Sequence, residues 1–175
     1  MFGLSKKRFS SEQLSVFLMD FFNDKKMIDT YKETLGIDSF SSNQLREILI
    51  YNMHATVYAI QSSIDSKELS KKIIDYYHTT AVQRLGGSNH KSQTAIRETV
   101  DKRYIKYFEI IQDAKNIENA SGFFILADEF LKNFFQDKDN NSGASMTMKV
   151  SFLYTNQLLA IKRTLDDIQA KYQIV

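Results

Sequence analysis

The chain has 175 residues, 43% of them hydrophobic, with 23 Lys and Arg against 21 Asp and Glu for a net charge of +2. Those values are ordinary for one globular domain, and so small a net charge sets up no long-range field that would draw nucleic acid. The chain lacks cysteine, proline and tryptophan. That excludes disulfides, thiolate nucleophiles and cysteine-bound zinc, and it fits the cytosol.

Residues 1–10 carry the basic triplet Lys6, Lys7 and Arg8 between Phe2, Leu4 and Phe9. They read as a flexible basic N-terminus ahead of a single all-α domain over 11–175. A weak contact with an anionic membrane is the sharper reading of the same triplet, and one triplet is too little for stable anchoring. The apolar run 14–22 is cut by Asp20 and has no small-residue cleavage site, so it is not a signal peptide. No stretch approaches the roughly 18 apolar residues of a transmembrane helix.

Ser10 or Ser11 caps a first helix, with Gln13 three residues after Ser10. Its apolar face is Leu14, Phe17, Leu18, Phe21 and Phe22. Asn23 to Lys26 breaks the pattern, Met27 to Leu35 resumes it, and Gly36 stops it, giving two helices or one kinked helix.

The most informative helix follows, over 43–65. Leu45, Ile48, Leu49, Met53, Val57, Ile60 and Ile64 recur at the spacing of a buried face. Glu47, Tyr51, His54, Tyr58 and Gln61 form a second stripe that is too aromatic for an ordinary solvated side. Either this helix is central, or the Tyr/His stripe is a surface for a partner or ligand.

Asp65 and Glu68 make an acidic capping box for a helix that ends on Gly86-Gly87. Its core face is Leu69, Ile73, Tyr76, Tyr77, Thr80 and Ala81, with Asp75 and His78 as a surface pair on the far side. The loop Gly86, Gly87, Ser88, Asn89, His90, Lys91, Ser92 is a candidate anion site, because glycines free backbone N–H groups to aim at an anion beside a helix start. It lacks the P-loop pattern, and each residue also has an ordinary capping role.

Ser92 is expected to cap a long helix to about Asn116, with Ile96, Val100, Tyr104, Tyr107, Ile111 and Ala114 inward. Its remaining faces, which include Arg103, read as a solvated, ion-paired surface. After a turn at 119–122 comes the most apolar helix, with Phe123, Phe124, Ala127, Phe130, Leu131, Phe134 and Phe135. The loop at 137–143 begins like a calcium-binding loop but lacks its glycine and its final glutamate. The last helix spans 145–172, with Met146, Val150, Leu153, Tyr154, Ile161, Leu165, Ile168 and Tyr172 on one face. Met148, Phe152 and Leu159 form its second stripe, which either faces the Tyr/His stripe or makes a dimer seam.

No histidine pair has metal-ligand spacing, no serine sits in a nucleophile elbow, and no cofactor is implied. The expected fold is therefore a single all-α bundle of six or seven mostly antiparallel helices joined by short loops. The leading functional expectation is a non-enzymatic cytoplasmic protein acting by protein–protein contact or self-association, in a regulatory, adaptor or toxin-neutralising role. The alternative is a small-ligand sensor with an aromatic pocket between helices, contacted by Tyr51, His54 or Tyr58.

Overall fold

The structure, a computed structural model, describes residues 7–116, 122–136 and 143–175. Residues 1–6, most of the turn expected at 119–122, and the calcium-like pattern at 137–142 lie outside the described residues. The chain runs β1 (Lys7–Phe9), α1 (Ser11–Phe22), α2 (Lys25–Leu35), α3 (Ser42–Ser63), α4 (Lys67–Gly86), α5 (His90–Asn116), α6 (Gly122–Phe135), α7 (Ala144–Lys171) and β2 (Tyr172–Ile174). It is an all-α bundle with one pair of short strands.

The helix starts are set by local chemistry. Ser10 Oγ accepts from the Gln13 N–H, and Gln13 Oε1 accepts from the Ser10 N–H, each at 3.0 Å. Ser41 and Gln44 repeat that capping box for α3. Asp24 caps α2, so the break at Asn23 separates two helices. Gly36 closes α2 with φ 66°, the left-handed conformation that glycine adopts without a Cβ clash. Two starts differ from the expected ones. Ser66, not Asp65, caps α4 by accepting from the Leu69 N–H. Asn89, not Ser92, caps α5, its Oδ1 accepting from the Ser92 N–H at 3.2 Å. In both places the sequence offers two capping residues, and the backbone turn chooses between them.

Residues 7–9 form a strand that the hydrophobic pattern does not indicate. Lys7–Phe9 pairs in parallel with Tyr172–Ile174, in the register Lys7↔Tyr172, Arg8↔Gln173 and Phe9↔Ile174. The last helix therefore ends at Lys171, not Tyr172. The Val175 N–H donates to the Phe9 carbonyl at 3.1 Å. The Ser11 N–H and Oγ both donate to the Val175 carbonyl at 2.8 Å. Residues 7–10 are thus held in place, while β-prone Tyr172, Ile174 and Val175 leave the helical pattern.

One hydrophobic cluster draws on all seven helices. Consecutive helices α4 and α5 lie antiparallel, with Gly86 against Gln93 at one end and His78 against Tyr104 farther along. Two non-consecutive pairs run parallel. Ser15 Oγ of α1 donates to the Ile73 carbonyl of α4 at 2.8 Å, and farther along both helices Asp20 pairs with Arg84. Likewise His54 of α3 meets Tyr154 of α7, and Ser63 meets Gln169 a few turns on.

The centre is aromatic. The Tyr51 ring stacks on Phe130 with centroids 4.3 Å apart, and lies 4.9 Å from Tyr154 and 5.9 Å from Tyr107. Polar atoms are threaded through it: the Tyr31 hydroxyl donates to Asn52 Oδ1 at 2.8 Å, and Asn52 Nδ2 donates to Asn23 Oδ1 at 3.4 Å. Among the described residues no helix is long and apolar enough to cross a membrane.

Phe130 joins α6 to Tyr31 of α2 and Tyr51 of α3. Phe130→Ala is expected to cost about 3–5 kcal/mol through lost burial and the cavity left behind, read as a lower midpoint in urea unfolding.

Candidate functional site

The α3 Tyr/His stripe is interior. Ile48, Met53, Val57, Ile60 and Ile64 of the first face are buried as expected, but Glu47, Tyr51 and His54 are buried too. Tyr58 is half-buried, and Gln61 alone of that stripe is exposed. Of the two alternatives, the helix is central, and the reading of Glu47, Tyr51 and His54 as a surface for a partner or ligand is corrected. Periodicity identifies a face of a helix, but not whether a neighbour covers it, and here α5 and α7 do.

Glu47 and His54 have partners across the helix interface, while the Tyr51 hydroxyl and His54 Nε2 are buried without a hydrogen-bond partner among the described residues. Glu47 Oε2 and Oε1 accept from Arg103 Nε and a terminal guanidinium nitrogen, each at 3.0 Å. By its charge Arg103 belongs to the solvated side of α5, yet its guanidinium turns onto Glu47. The signal that pointed inward was the carboxylate of Glu47 inside an aromatic stripe, which needs a cation once buried. This hydrogen bond raises the pKa of the guanidinium still further.

His54 is fully enclosed and shares a 2.8 Å hydrogen bond between Nδ1 and the Tyr154 hydroxyl. The rings of Phe108, Tyr107 and Tyr104 stand around it at 4.6, 5.3 and 5.7 Å. No carboxylate is among these neighbours. Burial alone pushes the imidazole pKa down to about 3, so the ring is neutral near pH 7. Burial also raises the hydroxyl pKa values of Tyr51 and Tyr154. A neutral, enclosed His54 holds α3 to α7 and has no path to a substrate in this packing.

His78 is likewise not in a surface pair with Asp75. Asp75 takes Lys71 at 2.7 Å, and the His78 ring turns onto Tyr104 of α5 at 5.2 Å. Burial lowers the His78 pKa, and Asp101 and Asp75 oppose that shift from the cleft that they line with Arg97. Among the described residues no group of three or more His, Asp or Glu could hold a metal ion.

The stretch from Gly86 to Ser92 is a tight turn between α4 and α5. A Cβ on Gly86 would sit 2.7 Å from Gln93 Cγ, so the close approach of the two helices requires glycine there. Gly87 has φ 58°. The Gln93 side chain donates to the Gly87 carbonyl, and Asn89 already occupies the Ser92 N–H. Ser88, His90 and Lys91 are exposed. The turn brings together what closing two helices requires.

The second stripe of α7 stands uncovered. Met148, Phe152 and Leu159 are 51%, 61% and 47% exposed. Val150, Tyr154, Ile161 and Leu165 of the same helix are buried on its far side. So the two second stripes do not face each other: the α3 stripe meets the inner face of α7 through Tyr154, and the outer face of α7 remains open. No family model, curated protein or solved structure matches this chain.

The buried imidazole has a consequence for stability against pH. Its pKa in the fold is about 3, below the ordinary 6.5, so between those values the unfolded chain binds a proton that the folded chain refuses. Stability carried by His54 is thus complete above about pH 6.5 and falls as pH drops through that window, with a limiting slope of about 1.4 kcal/mol per pH unit. His54→Asn keeps a hydrogen-bonding group for Tyr154 and removes the titration. Urea unfolding from pH 7 to 5 is expected to show a shallower loss of stability for His54→Asn than for the wild type; equal slopes would count against this account.

Proposed function

We propose that this is a non-enzymatic, cytoplasmic helical-bundle protein that works by protein–protein contact, with the outer face of α7 as its contact surface. The observation that carries this reading is the exposure of Met148, Phe152 and Leu159 along a single stripe of a well-packed helix. Of the nine large hydrophobic side chains exposed among the described residues, three fall on this one stripe, while others such as Phe21 and Ile105 lie on other helices. Grouped apolar exposure of that kind marks interaction sites more than scattered single residues do. Methionine and aromatic residues are also enriched in interface cores.

The magnitudes favour a reversible contact. From their exposures, the three side chains present on the order of 300 Å² of apolar surface. Covering it yields roughly 7 kcal/mol before the costs of association, which are themselves about 4–15 kcal/mol. Polar contacts at the rim, from residues such as Lys149, Asn156 and Arg163, must then contribute to affinity.

The small-ligand reading stands second. Tyr51 and His54 are taken up in packing. The apolar cleft beside Met19, Asn23, Leu49, Met53, Ala81, Arg84 and Leu85 holds about 210 Å³, less than the roughly 300 Å³ at which ligand sites begin, and the larger hollow of about 590 Å³ at Gln61, Ser62, Asp65, Lys67 and Lys71 is lined mainly by exposed polar residues.

A pull-down from extract of the source cell, run with wild type and with Phe152→Asp/Leu159→Ser, tests the contact face. The exposed positions allow both proteins to fold with the same melting temperature. A partner held by the wild type and lost at least about tenfold by the variant, equivalent to roughly 1.4 kcal/mol, supports the reading. Identical binding by both proteins overturns it.

A further inference from the structure

We infer that the cleft between α4 and α5 binds a small zwitterion of the α-amino-acid class, with its carboxylate on Arg97 and its ammonium on Asp101. The cleft holds about 310 Å³, and its walls include Asp75, His78 and Val82 of α4 and Arg97, Val100 and Asp101 of α5. It shares no residue with the outer face of α7.

Two of the charges that border this cleft are unpaired. The Asp75 carboxylate already takes Lys71 at 2.7 Å. Arg97 and Asp101 stand four residues apart on α5, yet among the described residues neither side chain makes an ion pair or hydrogen bond, with the other or with any third group. Their order accounts for this, since an acid four residues before a base pairs well along a helix and the reverse order pairs less well. A guanidinium and a carboxylate, about 6 Å apart along the helix axis, are therefore both left open to the cleft. Both charges act within it: Asp101 pulls the His78 pKa up and Arg97 pushes it down, against the larger lowering by burial.

The charge pattern selects the ligand class. A phosphate group would meet the carboxylates of Asp75 and Asp101, a polyamine would meet Arg97, and an uncharged apolar molecule would leave both open charges unanswered. A molecule that carries both signs a few bonds apart answers both. Its carboxylate accepts from the Arg97 guanidinium, the strong bidentate geometry, and its ammonium donates to Asp101. Val82 and Val100 are buried and give the cleft an apolar wall for the ligand's side chain. His78 Nε2 is enclosed without a hydrogen-bond partner among the described residues, so the same wall holds an unused polar contact. The volume is at the lower limit of ligand clefts, roughly 300 Å³, which suits a molecule of amino-acid size.

Amide chemical shifts of the isotope-labelled full chain, followed while each common L-α-amino acid is added separately to about 10 mM, test the inference. At least one amino acid is expected to move the amides of His78, Val82, Arg97, Val100 and Asp101 in a saturable way. The N-acetyl and α-amide forms of that amino acid each keep only one of the two charges, and each is expected to bind at least about tenfold more weakly. Arg97→Gln and Asp101→Asn are expected to keep the wild-type melting temperature, because neither side chain has a partner to lose, and each is expected to weaken binding by about tenfold or more. No saturable shift in the cleft with any amino acid overturns the inference. Equal binding of the two capped forms overturns the zwitterion, and wild-type affinity in both variants overturns the roles of Arg97 and Asp101.

Discussion

The constraint on which this structure depends is the burial of α3 on nearly every side. From Glu47 to Ile60 only Leu49 and Tyr58 are even half-open to water. A helix in that position cannot have a polar face, yet this one carries Glu47, Asn52, His54 and Thr56 in its buried stretch. Unpaired, each would cost several kcal/mol, and a bare carboxylate more. The surrounding helices answer them one by one: α5 supplies Arg103, α7 supplies Tyr154, and α2 supplies Tyr31. Thr56 is satisfied within its own helix by the Asn52 carbonyl at 3.0 Å. These pairs add little net stability compared with apolar packing, because desolvation offsets most of what they gain. They do restrict how α2, α5 and α7 can sit around α3, since a slipped helix would strand a partner.

The distribution of polar and apolar groups is thus inverted relative to simple expectation at two places. Inside, a carboxylate is enclosed and matched, and an imidazole is enclosed with a partner at Nδ1 and none at Nε2 among the described residues. Outside, methionine, phenylalanine and leucine side chains line up about half exposed along one stripe of α7. The first inversion is explained by the central position of α3. The second has no explanation within the monomer, because the same helix buries Val150, Tyr154, Ile161 and Leu165 on its opposite side and is already anchored. That is why the functional argument moves from the aromatic interior to the outer face of α7.

Much of the fold is legible in the sequence because it is local. The Ser10–Gln13 box, the stop at Gly36 and the two-faced pattern of α3 each involve residues within a few positions of one another. What depends on distant residues is not legible in the same way. Glu47 needs Arg103, but several cations on α5 were equally eligible by spacing. His54 could be assigned to a stripe, while its cover by Tyr154 depends on α3 and α7 lying parallel, an arrangement set by packing. The choices of Ser66 over Asp65 and Asn89 over Ser92 follow from the path of the turn, which no single residue specifies. The exposed stripe of α7 was visible as a second apolar face, but only its neighbours decide that it stays open. The strand pair was missed because three-residue segments carry almost no pattern of their own.

That strand pair has a mechanical consequence. Because β1 and β2 are parallel, a force drawing Lys7 and Val175 apart pulls the two strands lengthwise past each other in opposite directions. The ladder, together with the bonds from Ser11 to the Val175 carbonyl and from the Val175 amide to Phe9, is then loaded in shear, all at once, and not unzipped one bond at a time. Rupture requires several hydrogen bonds to fail together. A short, thermodynamically modest strand pair therefore acts as a force-bearing latch, shielding the helices behind it from tension applied along the chain.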